Sequence, residues 1–224
     1  MHEVEGLRVF HDRAEAGRAL AGRLGEYARH PDAIVLGLPR GGVPVAAPIA
    51  SALGLPLDVL VVRKLGAPGQ PELAVGAIAA GVIVRNPDVA RWFAGDPRVI
   101  DAIVERERAE LERRERLYRP GSPPLAIAGK TVLLVDDGAA TGASMRAAVA
   151  ALRALRAALI VVALPTASAE ACEALRRDAD RVVCLQTPRS FSAVGEWYER
   201  FDQTTDRELI DLLRAQRTAP SASA

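Results

Sequence analysis

The stretch Thr131-Val-Leu-Leu-Val-Asp-Asp-Gly-Ala-Ala-Thr-Gly-Ala-Ser144 decides how this chain reads. Val132 to Val135 is a continuous apolar run, the pattern of a parallel strand buried on both faces. Asp136 and Asp137 stand where that strand should end. Gly138 and Gly142 then let the backbone turn tightly and approach a ligand. From Ser144 onward, Met145, Val149 and Leu152 share one helical face. The order is therefore strand, acidic pair, small-residue loop and helix start.

The amides of Ala140 to Ser144 can converge on an anion at the helix N-terminus, where the helix dipole also favours negative charge. Thr141 and Ser144 add hydroxyl donors. A phosphate fits there, whereas the aspartates repel one and suit hydroxyls such as the cis-diol of a ribose. The stretch asks for a sugar carrying a phosphate at one end and free hydroxyls in the middle. A nucleoside-triphosphate loop is excluded, because it needs Gly-Lys-Ser/Thr and no lysine follows Lys130 before the helix ends. The glycine spacing also excludes a dinucleotide fingerprint. An ordinary strand-to-helix turn with an acidic cap explains one aspartate and one glycine, but not the whole run.

Upstream lies a second strand-loop-helix unit: Ala33 to Leu38, the turn Pro39-Arg40-Gly41-Gly42, then a helix from Val43 to Leu53. Before it, Asp12 is placed to cap a helix running to about Ala28. A third strand, Leu57 to Val62, runs into Arg63 and Lys64, cations expected at the same sheet edge as the glycine loops. Leu65 to Glu72, with Gly66, Pro68, Gly69 and Pro71, reads as a mobile surface loop. Leu73 to Ile78 and Val82 to Arg85 read as a hairpin. Asn86 to Asp96 gives no clear element, and a long Glu/Arg helix then runs to Tyr118 as a solvated, ion-paired surface. Downstream come a strand from Ala158 to Leu164, a helix capped by Ser168 and ending near Asp178, and a last strand from Arg181 to Leu185. In a chain only 4% aromatic, Phe191, Trp197, Tyr198 and Phe201 cluster together, and core packing is the favoured role over stacking on a ligand ring. A short helix from Asp206 to Arg214 precedes a tail, 219–224, expected to be disordered.

With 224 residues the chain can bury one sizeable core, so residues 1–218 are expected to form a single domain. The 29 basic against 28 acidic residues leave a net charge of +1, so any anion site is local and nucleic acid is not the expected partner. No apolar run reaches the roughly 18 residues of a membrane span, and no secretory pattern opens the chain. Cys172 and Cys184 have no metal-ligand spacing and read as buried thiols, which points to the cytoplasm. The histidines, His2, His11 and His30, crowd near the N-terminus, leaving a sugar-phosphate hydrolase without a nucleophile–histidine set.

Strands alternating with helices argue an α/β fold, an open, mostly parallel sheet flanked by helices. The central stretch resembles the phosphoribosyl-pyrophosphate motif of the type I phosphoribosyltransferases, and the likeness to their core extends from about Ala33 to Thr187. Gly-Leu-Pro-Arg-Gly-Gly-Val, Val-Arg-Lys-Leu-Gly-Ala-Pro-Gly and Phe191 to Phe201 resemble a little-characterised bacterial subgroup of that family.

The resemblance implies Mg²⁺-dependent transfer of a 5-phosphoribosyl group from phosphoribosyl pyrophosphate to a nitrogenous base, with release of pyrophosphate. It implies Asp136 and Asp137 on the ribose hydroxyls and, through water, on Mg²⁺. The ribose 5-phosphate would lie along Gly138, Ala139, Ala140, Thr141, Gly142, Ala143 and Ser144. Pyrophosphate would meet Arg40, Gly41, Gly42, Arg63 and Lys64, with Arg40–Gly41 as the candidate cis peptide and Leu65 to Glu72 closing over the site. Ala140 stands where hypoxanthine-guanine enzymes carry an aspartate, which disfavours a 6-oxopurine acceptor. A small hood region would set base choice, with the long helix and the aromatic segment as its candidates. The rival expectation is a non-catalytic sensor of phosphoribosyl pyrophosphate, against which the cation set and the loop argue. A homodimer is compatible with either.

Overall fold

The computed structural model describes residues 7–67, 70–85 and 97–218. Residues 1–6, 68–69, 86–96 and 219–224 lie outside it, and with them the expected tail, His2 and the segment before the long helix.

Five strands form the central sheet: β1 (Ala33–Gly37), β2 (Leu57–Val59), β6 (Thr131–Val135), β7 (Leu159–Thr166) and β8 (Arg181–Gln186). Their order is β2-β1-β6-β7-β8, so β6 lies in the middle, and every pairing is parallel. The continuous apolar run follows from this position. Leu133 and Val135 enter a core with Leu20, Ile49 and Leu209, while Val132 and Leu134 enter another with Met145, Val149 and Leu175. Side chains alternate between the two faces, and both faces are covered.

Helices α1 (Arg13–Ala21), α2 (Gly42–Leu53) and α6 (Asp206–Thr218) supply the first core, and α4 (Ala143–Ala154) and α5 (Ala169–Asp178) the second. Two caps read from sequence are in place. Asp12 accepts from the Glu15 amide at 2.8 Å, and Ser168 Oγ accepts from the Ala171 amide at 3.0 Å. The first helix stops at Ala21 instead of near Ala28, and a 3-10 turn over Gly25–Tyr27 takes up the remainder. Gly22 and Gly25 weaken helix continuation there.

A second sheet is antiparallel and built from β3 (Val62–Ala67), β4 (Gln70–Ala79) and β5 (Val82–Arg85), with β4 in the middle. It revises two expectations. The third strand does not run unbroken from Leu57 to Val62. It leaves the parallel sheet after Leu60, whose amide donates to Gly37 O at 3.1 Å, and a new strand starts at Val62. The segment expected as a mobile loop is largely ladder: Leu65 pairs with Gly76, and Ala67 with Gln70 across an irregular register at Gly66. Alternating burial favours the strand, since Leu65 and Ala67 point into the core while Gly66 does not.

Helix α3, Pro97–Tyr118, packs on this sheet through Val104 and Leu111 beside Leu65, Val75 and Ile78. Its outer face is ion-paired as expected, with Glu110 held by both Arg113 and Arg114 at 2.7 Å. Within the aromatic cluster, Tyr198 is buried with Phe10 and lies 5.0 Å from the partly buried Phe201, ring centre to ring centre, while Phe191 stacks on Trp197 at 6.4 Å.

Candidate active site

The carboxyl ends of β1 and β6 deliver two loops to one place. Leu38 N donates to Val135 O at 2.9 Å, so the chain after β1 runs beside the chain after β6. Gly41 and Gly42 then lie directly on the acidic pair. A methyl group on Gly41 would overlap Asp137 Oδ2, and one on Gly42 would sit 2.5 Å from Val135 O and 3.1 Å from Asp136 Oδ1. Only glycine permits this approach. The cis peptide in this turn joins Pro39 to Arg40, one residue before the expected Arg40–Gly41 bond.

Asp136 and Asp137 differ in their partners. Asp136 Oδ1 accepts from the Asp137 amide at 2.9 Å. Burial, and then the neighbouring charge of Asp137, hold its carboxyl well above the usual range. Burial raises Asp137 too, against the opposing pull of Arg13, whose Nε donates to Asp137 Oδ2 at 2.9 Å. Among the described residues, Arg13 is the cation that faces these two adjacent, largely buried carboxylates. The pair is therefore primed for hydroxyl donors or a further positive charge.

The loop after the pair is fixed from the far side by β7 and the cap of α5. Ala139 N donates to Thr166 O at 3.1 Å, Ser168 N to Ala139 O at 2.9 Å, and Ser168 Oγ to Ala140 O at 2.8 Å. Gly142 takes φ 70°, the left-handed conformation from which α4 begins at Ala143. Ala139 and Gly142 are buried by this anchoring, while Ala140, Thr141, Ala143 and Ser144 are exposed. Ala143 N makes only a long 3.4 Å contact with Thr141 Oγ1, and the amides of Ala140, Thr141 and Ser144 meet no protein acceptor among the described residues. Unsatisfied donors at a helix start form an anion cradle.

Two of the expected cations, Arg40 and Arg63, arrive with carboxylate partners. Arg63 donates through Nε and Nη2 to Glu107 Oε2 at 2.9 and 2.6 Å, and Glu107 is only 8% exposed. Arg40 Nη1 lies 3.6 Å from Asp206 Oδ1, which also accepts from the Tyr118 hydroxyl at 2.7 Å. Lys64 is half-buried on β3 beside Arg63. Arg63 and Lys64 thus sit on an antiparallel strand beyond the parallel sheet's edge, not at the end of one of its own strands.

Sequence reasoning missed Arg13, Glu107 and Asp206. Arg13 is 124 positions from Asp137 and Glu107 is 44 from Arg63, while Asp206 lies near the other end of the chain from Arg40. No local pattern marks them. Among the described residues no three His, Cys, Asp or Glu side chains gather as a metal site. The acidic pair fits a hard divalent cation that brings most of its own oxygen ligands, and does not fit an all-protein cage. No helix among the described residues is long and apolar enough to cross a membrane.

Comparison with known proteins places this geometry. The family profile of the phosphoribosyl transferase domain matches residues 10–200. A protein of Mycobacterium tuberculosis H37Rv, provisionally named a phosphoribosyl transferase, is 46% identical over 220 residues; the match covers 97% of this chain and 49% of that protein. The chain thus spans about half the length of the curated relatives it matches. The crystal structure of a Thermus thermophilus protein superposes with a TM-score of 0.85 at 43% identity, covering 92% of this chain and 98% of the other. With its parallel sheet, glycine-packed acidic pair and helix-start cradle, the chain belongs to the phosphoribosyl transferase family.

Proposed function

We propose that the protein transfers the 5-phosphoribosyl group of phosphoribosyl pyrophosphate to a nitrogenous base in the cytoplasm and releases pyrophosphate. The observation that carries this reading is the junction of the β6–α4 loop with the β1–α2 loop. It lays a glycine turn on two carboxylates, and the chain runs on from these into a row of amides without a good protein acceptor.

The amides and hydroxyls from Gly138 to Ser144 anchor the 5-phosphate, so binding energy remote from the reacting carbon orients it. Asp136 and Asp137 accept the ribose hydroxyls and lie close to the positive charge that develops on the sugar ring. That charge exists mainly in the transition state, which is where carboxylates lower the barrier. Arg40, Arg63 and Lys64, with the turn at Gly41 and Gly42, receive the departing pyrophosphate, although the Gly42 amide is itself given to Leu38 O at 2.9 Å. Asp136 and Asp137 would hold Mg²⁺ through water, and the ion would supply charge neutralisation for that leaving group. Since Arg40 and Arg63 are already paired with Asp206 and Glu107, pyrophosphate must compete with those carboxylates. Ala140 leaves no carboxylate beside a purine N7, which argues against a 6-oxopurine acceptor.

The test is pyrophosphate release from labelled phosphoribosyl pyrophosphate and Mg²⁺ across a panel of purine and pyrimidine bases. Release with one base establishes transfer and names the acceptor. Tight binding without release for any base identifies a sensor instead. No binding at all removes the reading.

A further inference from the structure

We propose that Arg13, together with Phe201 and Tyr198, is a positioning device for Asp137, so that the ribose end of the site is completed by the two flanks of the domain. This rests on the reading of Asp137 as a ribose ligand. Four contacts close into a ring. Arg13 Nε holds the Asp137 carboxylate at Oδ2, 2.9 Å away. The Tyr198 hydroxyl donates to the main-chain oxygen of the same residue at 2.6 Å. The Arg13 guanidinium lies 3.9 Å from the centre of the Phe201 ring, and that ring stacks on Tyr198 at 5.0 Å. Side chain and peptide plane of Asp137 are thus each held by one group, and both groups lean on one aromatic ring.

The ring is itself kept in register. Arg13 Nη1 donates to Asp202 O at 2.8 Å, so its position depends on the segment that carries Phe201. Phe10 N donates to Trp197 O at 2.9 Å, Glu199 N to Phe10 O at 2.8 Å, and Arg200 N to His11 O at 3.0 Å. The segment leading into α1 and the segment after β8 therefore form a short two-stranded clasp. Gly195 permits it, since a methyl there would stand 2.9 Å from Phe201 Cδ1. Arg13 and Asp137 are 12% and 16% exposed at their side chains, so solvent screens the pair only weakly. One carboxylate oxygen is spent on Arg13, and the other remains to accept a sugar hydroxyl in a fixed direction. Positioning of this kind affects recognition of the hydroxyl-bearing half of the ligand more than the diphosphate half.

Calorimetric titration of the full chain with ribose 5-phosphate, and separately with inorganic pyrophosphate plus Mg²⁺, tests this. For Arg13→Gln, ribose 5-phosphate affinity should fall about tenfold, the scale of one charge-assisted hydrogen bond. Pyrophosphate affinity should fall by clearly less, since Asp137 reaches that ligand only through a water-bound Mg²⁺. Arg13→Lys, which keeps the charge but loses the fork onto Asp202 and the stacked plane, should fall between wild type and Arg13→Gln. It carries the test if the glutamine variant fails to fold. Equal weakening of both ligands, or no weakening of either, overturns the proposal and leaves the family reading intact. If wild-type protein binds ribose 5-phosphate no better than Asp137→Asn does, the ribose-site reading fails, and the proposal with it.

Discussion

The two ends of the candidate site are built differently. At the proposed ribose-phosphate end, the candidate recognition groups come from one continuous stretch, Asp136 to Ser144, clamped between β1 and β7. At the proposed pyrophosphate end, the cations come from separate elements, Arg40 after β1 and Arg63 and Lys64 on β3 of the second sheet. Arg63 leans on Glu107 of α3 and Arg40 on Asp206 of α6. A rigid cradle would suit an end proposed to orient the sugar through the whole reaction. Arginines with carboxylate partners would suit an end proposed to take up and then release a diphosphate, because the partner restores each charge pair when the ligand leaves.

The sharpest way to break this contrast is Asp137→Asn. It keeps the shape but removes the charge that faces the developing cation, so pyrophosphate release should fall by about 10²–10³-fold while the far-ultraviolet spectrum stays native. Unchanged release would dismiss the carboxylate's role. Gly41→Ala comes next, because its methyl would overlap Asp137 Oδ2 and force either the turn or the carboxylate to move. Overpacking of this kind costs about 1–3 kcal/mol. Phosphoribosyl pyrophosphate affinity should fall with it, since both ends of the site share this contact, and titration beside a thermal melt measures the two losses.

Glu107→Gln sharpens the other end. The variant leaves Arg63 without its carboxylate in a half-buried setting, with an expected loss of about 1–2 kcal/mol in denaturant unfolding. Saturating pyrophosphate should raise its melting temperature by more than it raises that of the wild type, since the ligand no longer competes with Glu107. An equal rise in both proteins would show that Arg63 does not meet the ligand.

The same division decides what could be seen in the sequence. The β6 strand, the acidic pair and the helix start are local, and local order is written in residue spacing: Val132 to Val135 are buried on both faces, and α4 starts one residue before Ser144. The caps at Asp12 and Ser168 are local too. What escaped depends on distant partners. A glycine- and proline-rich stretch pairs as β3 and β4 because Leu65 and Ala67 find a core under α3, and no nearby residue in the sequence announces that core. Arg13 is one more basic residue at a helix start, and only the fold brings it to Asp137. The aromatic cluster was legible as packing, but its hydrogen bond from Tyr198 to the motif backbone was not.

The smallest expected effect compares the two buried tyrosines that flank these ends. Burial, and then the hydrogen bond to Asp206, push the Tyr118 phenol up to about 12. Burial, and then the charge of Asp137, push Tyr198 up as well. In the unfolded chain a phenol loses its proton near pH 10. Between that pH and about 12 the folded protein binds more protons than the unfolded one, so stability falls as pH rises through this window and is fully retained below it. Tyr118→Phe should cost about 1 kcal/mol or less at neutral pH, the scale of one hydrogen bond. It should also make the alkaline decline shallower without abolishing it, because Tyr198 still titrates in the same direction. Denaturant melts of both proteins from pH 8 to pH 11 measure this. An identical slope in the two would mean that Tyr118 gives up its proton as freely in the folded chain as in the unfolded one. The Asp206 contact that shares Arg40 would then not be the neutral-phenol hydrogen bond described for it.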